Sequence, residues 1–331
     1  MSATGDDLWN LELKLAAAPG PVQWSHFTNH YVMAPWHVEG RQLVRPLVTP
    51  DGTPVVTISR NLGSVEVPDL RVVISSDQAL ESHRLDSLTL TLGDALGLNE
   101  DVTDFYDKIV PADPVLSAAA DYGLRGARLR IAPSVLEALV AALASQKVHF
   151  SRTYQVMECL TRKFGRPVRY SGGVASTFPT VDVIATRSEE ELASCGLGYR
   201  ARLLHALAKR ITGDYYGLQR LRDEPNTEAV RDSLMELPGV GPFTADLVLS
   251  IGFRRPSFHL DSYTRQILEL LYGVNPDDAA MTTFVESRFG RWKHYAILLL
   301  TTDTERWSPA LGIEFPIKSG ASYRLPGPGT A

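Results

Sequence analysis

Cysteine is almost missing from this chain of 331 residues: Cys159 and Cys195 are the only two. They stand too far apart for a CxxC pair, which excludes a disulfide framework and a zinc ribbon. Two thiolates also fall short of a four-cysteine iron–sulfur cluster. Long apolar runs are missing as well. None approaches the roughly 20 residues that cross a membrane, and the N-terminus lacks the basic, then apolar, pattern of a signal peptide. A reducing, cytoplasmic setting is the expectation. No internal repeat is found.

A surplus of positive charge is the next absence. The net charge of −5 hides an asymmetry, about −7 over residues 1–130 and about +2 over residues 131–331. Contacts to an anionic polymer need local positive charge rather than a basic total. Any such face is therefore expected in the C-terminal two-thirds of the chain.

Apolar material is plentiful: 44% of residues are hydrophobic, enough at this length for two or three domains. Residues 8–95 read as mainly β, with alternating or β-branched runs at Leu11–Leu15, Gln42–Val48, Val55–Ser59, Val65–Ser75 and Ser87–Leu92. Turn signals such as Pro50-Asp51-Gly52 separate them. From about residue 98 the spacing turns helical. Ser134–Gln146 places Leu136, Leu139, Val140 and Leu143 on one face, and a second helix is capped by Ser151 and closed by Gly165. Gly172–Thr180 reads as a loop, and Ser188-Glu189-Glu190-Glu191 has the form of a capping box. Further helices are expected at Arg200–Ile211, Thr227–Leu237, Pro242–Ile251 with Gly252 as the stop, Ser262–Leu271 and Phe284–Thr301. The fold class is α+β. An antiparallel β-rich layer over 1–97 precedes a two-lobed helical body over 98–305, which holds a helical hairpin at 227–251, and 306–331 form a C-terminal tail with a Pro/Gly-rich end.

The most specific segment is Leu237-Pro238-Gly239-Val240-Gly241-Pro242-Phe243-Thr244-Ala245-Asp246. One amphipathic helix ends at a Pro-Gly-x-Gly turn and another begins at once. Gly239 and Gly241 allow a tight turn whose amides face outward, where the helix start makes a site for an anion such as a phosphate. A plain αα-hairpin is the simpler account of the same residues. The sequel favours chemistry. Eighteen residues after Phe243, Leu260-Asp261-Ser262-Tyr263-Thr264-Arg265 sets an acid at the start of a helix. Aspartate is a good N-cap in its own right, but the same amides keep a carboxylate ionised. An ionised carboxylate suits N-glycosidic cleavage, in which positive charge develops on the sugar.

In this order of hairpin, apolar helix, loop and capped aspartate, the chain resembles the helix-hairpin-helix (HhH-GPD) DNA glycosylases. The likeness is good over about residues 98–300 and loose over the β-rich part. The two-layer plan resembles 3-methyladenine DNA glycosylase II and the 8-oxoguanine glycosylases. Leu197-Gly198-Tyr199-Arg200-Ala201-Arg202 is similar to the strand-wedge segment of the 8-oxoguanine enzymes, whereas Gly290-Arg291-Trp292-Lys293-His294-Tyr295-Ala296 resembles a late stretch of the alkylpurine enzymes. Bifunctional members carry a lysine two residues after the last hairpin glycine, where it forms a Schiff base with the sugar. Phe243 stands there in this chain. The resemblance therefore implies a monofunctional DNA glycosylase of base excision repair. It would hydrolyse the bond to a flipped, damaged and alkylated purine with Asp261 as the catalytic carboxylate and without lyase activity. An 8-oxoguanine-type glycosylase without lyase activity and a non-catalytic DNA-binding protein remain open alternatives.

Roles for single residues follow from the same resemblance. Phe243, Trp292 and Leu247 are candidates for the base pocket, and Gln146, Tyr199, Arg200, Gly239, Gly241 and Thr244 for DNA binding. Gln146 would enter the gap left by the flipped base, and Tyr199 would stack beside the orphaned partner. Arg200, Arg202, Lys209 and Arg210 are candidates for phosphates. Each has a plainer reading: Trp292 as core, Gln146 as a helix-end residue, Tyr199 as a half-buried turn residue, and the arginines as a solvated face. His259 could pair with Asp261 or simply pack. No side chain is implied as a metal ligand and no cofactor is expected, apart from a structural monovalent cation on the hairpin backbone at 236–241. The implied partner is double-stranded DNA with a damaged base. No membrane is involved, and a monomer in a bacterial or archaeal nucleoid is expected.

Overall fold

A computed structural model describes residues 8–315, apart from 31–32, 50 and 256–259 and the side chain of Tyr216. The N-terminal layer is a five-stranded antiparallel sheet of β1 (Trp9–Lys14), β2 (His37–Glu39), β3 (Gln42–Val48), β4 (Pro54–Asn61) and β5 (Leu70–Ser76), in the order β1-β5-β4-β3-β2. Alternation along the strands loads both faces. Leu43, Leu47, Val55, Val72 and Ile74 meet Trp24 and Phe27 of α1 (Trp24–Asn29) and Leu88 and Leu92 of α2 (Ser82–Ala95). Val44, Val56 and Ile58 on the other face meet Val168, Tyr170 and Ala175 of a small hairpin, β6 (Pro167–Tyr170) and β7 (Gly173–Ser176). Cover on both faces explains why β3 is buried along most of its length.

The helical body has two cores. The first gathers α3 (Val135–Ala144), α4 (Phe150–Phe164), α5 (Arg200–Thr212), α6 (Thr227–Met235) and α7 (Pro242–Phe253). All of α3 is buried, and it lies so near α7 that a Cβ on Gly252 would come 2.7 Å from that of Ala138. The second core gathers residues 105–127 with α8 (Ser262–Tyr272), α9 (Asp278–Phe289) and α10 (Lys293–Thr301). The chain passes from the first core to the second between Arg254 and Leu260. Arg254 adopts the left-handed conformation at φ +50° and gives a hydrogen bond to the carbonyl of Asp94. The N-terminal layer is joined to the first core by a buried ion pair. Arg45, 1% exposed, places Nη2 2.6 and 2.5 Å from the two Glu137 oxygens.

Several expectations are corrected. Ser87–Leu92 is no strand but part of α2. Leu85, Leu88, Leu92 and Ala95 repeat at helical spacing onto the sheet while Leu90 is exposed, so alternating leucines had suggested the wrong period. The 172–180 loop contains β7. His149, not Ser151, caps α4. Gly252 does not stop α7, which runs to Phe253. The single helix expected over Phe284–Thr301 is broken at Gly290, whose φ of +51° divides α9 from α10 across a short 3-10 turn. The packed chain also enters the segment expected as a tail, because Trp307 is 1% exposed and its indole donates to the carbonyl of Thr302. Leu325–Ala331 lie outside the described residues.

Candidate active site

The hairpin joins two helices of the first core. Asn226 caps α6 by accepting from the amides of Glu228 and Ala229. After Met235 the chain turns through Pro238-Gly239, and Gly239 sits at φ +79°, a conformation that disfavours side chains. Space argues the same way: a Cβ there would stand 3.0 Å from Leu143 Cδ2 and 3.1 Å from Leu203 Cβ. Gly241 is the N-cap of α7 and has no side chain with which to satisfy the first amides, and Pro242 follows in the first turn. The first turn of α7 therefore presents a positive dipole end without an internal anion.

Asp261 caps α8. Its Oδ1 accepts from the amide of Thr264 at 2.7 Å, and the residue is exposed. The cation on the same helix, Arg265, is engaged by Asp278, whose hydrogen bond is the main cause holding the guanidinium pKa above its ordinary value. Among the described residues Asp261 has no ion-pair partner, and its second oxygen accepts no hydrogen bond. His259 lies outside the described residues, as does Phe258.

The base-pocket candidates divide. Phe243 is 44% exposed in the first turn of α7, and Leu247, one turn on and on the same face, packs half-buried against the first core. Trp292 is withdrawn. It is 6% exposed in the second core, between Phe105 at 5.6 Å and Tyr295 at 5.7 Å, so its faces are already in use.

The DNA-binding candidates divide too. Tyr199 projects at 62% exposure from the start of α5, after Gly198 at φ +57°. Arg202, Lys209 and Arg210 are exposed on α5 and have no carboxylate partner among the described residues. Arg200 is corrected from phosphate contact to buried cross-link: its Nε donates to Leu197 O, and Nη1 to Ala144 O and Gln146 O. Thr244 is also buried, and its hydroxyl accepts from Gln146 at 2.9 Å, so its side chain is used within the protein. The Gln146 amide is committed as well, since Nε2 also donates to Gly239 O at 2.9 Å. The residue that stands out beside it is Lys147, exposed and left-handed at φ +53°. Sequence reasoning missed Lys147, because nothing in residue type announces a positive φ at lysine.

The comparisons with known proteins bear on this arrangement. The sequence family described as "HhH-GPD superfamily base excision DNA repair protein" matches residues 140–289. The "Probable N-glycosylase/DNA lyase" of Methanothermobacter thermautotrophicus is 30% identical over 230 residues, covering 63% of this chain and 72% of that protein. Among solved structures, the 3-methyladenine DNA glycosylase of Archaeoglobus fulgidus superposes with a TM-score of 0.74 at 22% identity, over 88% of this chain and 96% of its own. The 8-oxoguanine glycosylase/lyase of Clostridium acetobutylicum in complex with DNA does so at 0.62 and 19%, over 86% and 100%. These two likenesses show the fold.

Proposed function

Because the chain belongs to the HhH-GPD superfamily of base excision DNA repair proteins, we propose that it is a monofunctional DNA glycosylase. It hydrolyses the N-glycosidic bond of an extruded purine, an alkylated one by preference, with Asp261 as the catalytic carboxylate. The observation that carries this reading is the pairing of an exposed N-cap carboxylate, free of any ion pair among the described residues, with Phe243 where a Schiff-base lysine would have to stand.

The α7 amides grip a phosphate while Tyr199 and Lys147 occupy the disturbed stack. Extrusion costs a few kcal/mol, less for a damaged base. Asp261 stabilises the positive charge that grows on the sugar as the base departs, and its open oxygen orients the attacking water. An alkylated purine is cationic and leaves without a general acid. The face of Phe243, with Leu247 behind it, suits such a base better than hydrogen bonds would. A monovalent cation implied by the family fits the hairpin: the carbonyls of Pro238 and Val240 accept no hydrogen bond among the described residues, although that of Gly239 is taken by Gln146. It would supply a structural charge at the turn.

The exposed Tyr199 turn favours a second reading, an 8-oxoguanine-type glycosylase without lyase activity. Duplexes carrying alkylated or oxidised purines, assayed for abasic sites with and without alkaline cleavage, decide between the two. The first reading expects alkali-dependent breaks on the alkylated duplex. Alkali-independent breaks trapped by borohydride would sink the monofunctional assignment.

A further inference from the structure

Three exposed tips belong to the proposed DNA-facing surface: Lys147 at the end of α3, Tyr199 at the start of α5 and Phe243 at the start of α7. Each is the immediate sequence neighbour of a side chain that cross-links the turns beneath. Lys147 follows Gln146, whose Nε2 bonds the hairpin at Gly239 O and Thr244 Oγ1, both at 2.9 Å. Tyr199 precedes Arg200, whose guanidinium takes Leu197 O at 2.8 Å in its own turn, then Ala144 O at 2.7 Å and Gln146 O at 3.0 Å at the end of α3. Phe243 precedes Thr244, the buried acceptor of the Gln146 bond. The hairpin closes the triangle, because Gly239 rests against Leu143 of α3 and Leu203 of α5.

We propose that Arg200 and Gln146 are positioning residues that fasten the three tips into one rigid unit, so that they enter a duplex at fixed spacing. The inference rests on the glycosylase reading and adds the source of the site's order to it. Arginine suits the task because its planar fork holds several donors in fixed directions, whereas a lysine ammonium is a single point on a flexible stem. Arg200 is 5% exposed and has no carboxylate partner among the described residues. Its charge is therefore satisfied by carbonyl dipoles without being cancelled, and the unit stays positive where phosphates approach. Turns ordered in advance have less conformational entropy to lose on binding.

A structural role alone would lower stability and leave the tips independent, and mutant cycles separate the two cases. The probes are a duplex with a stable abasic-site analogue, for affinity, and a methylated duplex, for single-turnover base release. Arg200→Lys is expected to weaken abasic-duplex binding about tenfold in the wild-type background and less than about twofold in Tyr199→Ala, the signature of two residues acting through one contact. Gln146→Leu, at a half-exposed position, forms the same cycle with Phe243→Ala and carries the test if Arg200→Lys does not fold. Equal losses in both backgrounds, or no loss, would overturn the positioning role. A wild-type protein that binds no abasic duplex and releases no base would overturn the glycosylase reading instead.

Discussion

Asp113 and Asp261 both cap helices that belong to the second helical core, and their surroundings differ at every oxygen. Asp113, 3% exposed, accepts from the amides of Val115 and Leu116, from the Tyr272 hydroxyl at 3.2 Å and from Arg288 Nε at 2.6 Å. Burial, with the Asp113 charge beside it, pushes the Tyr272 pKa up, and the Asp113 bond raises that of Arg288. Among the described residues Asp261 makes one side-chain bond, to the Thr264 amide, and it is exposed. A cap that serves the fold spends its acceptors on the fold; one that keeps an oxygen in reserve has it available for a ligand.

The comparison can be broken most directly by removing charge without removing the cap. Asn caps helices about as well as Asp, so Asp261→Asn should leave chemical stability within about 0.5 kcal/mol. Single-turnover base release should fall by about a hundredfold to a thousandfold, while abasic-duplex affinity survives. Undiminished release would take the catalytic role away from Asp261 and leave it a helix cap alone.

Acid should unfold the protein by a route that ignores Asp261. Burial, then the charge of His30, holds His26 well below its ordinary value, and burial with Arg254 nearby pushes His294 down to about 4. Below about pH 6.5 the unfolded chain takes up protons at these histidines that the folded one refuses, so stability declines as pH falls from there towards 4. The His294 contribution reaches about 3 kcal/mol at the low end. Thermal melts should show the same decline for wild type and Asp261→Asn. A profile that changed with Asp261 would make that residue part of the fold.

Asp113→Asn is the converse substitution and should cost about 1–3 kcal/mol in urea melts, because Arg288 and the Tyr272 hydroxyl lose a charged acceptor. Base release per folded molecule should not change. The smallest effect is reserved for surface cations. Lys209→Ala should weaken DNA binding a few-fold and reduce the slope of its salt dependence by about one. Arg71→Ala, whose guanidinium is held by Asp69 in the N-terminal layer, should do neither.

Much of this was legible in the chain itself. The hairpin, the cap at Asp261 and the helical pairs that flank them follow from glycine, proline and apolar spacing, which act locally. What escaped was decided at longer range. Leu88, Leu90 and Leu92 alternate as a strand would, and only the sheet that Leu88 and Leu92 cover, with Leu90 turned outward, selects the helix. Trp292 carries a motif that resembles site residues of other proteins, but its ring is enclosed by Phe105 and Tyr295, which are distant and near in sequence respectively. Arg200 and Gln146 looked like surface donors because their acceptors are backbone carbonyls and, for Gln146, also the hydroxyl of Thr244 nearly a hundred residues away, which no sequence pattern marks.

The passage from the first core to the second has a mechanical meaning. The α7 amides proposed to hold a phosphate belong to one lobe and Asp261 to the other, so on the glycosylase reading the reach between them is set where the lobes join. Arg254, where the chain leaves the first lobe, is tied to Asp94 of the N-terminal layer and lies 3.9 Å from Glu100. On that reading the pair would act as a built-in caliper: a nucleotide swung out of the helix would meet the acid only when the span from its phosphate to its sugar matches the set of the jaws.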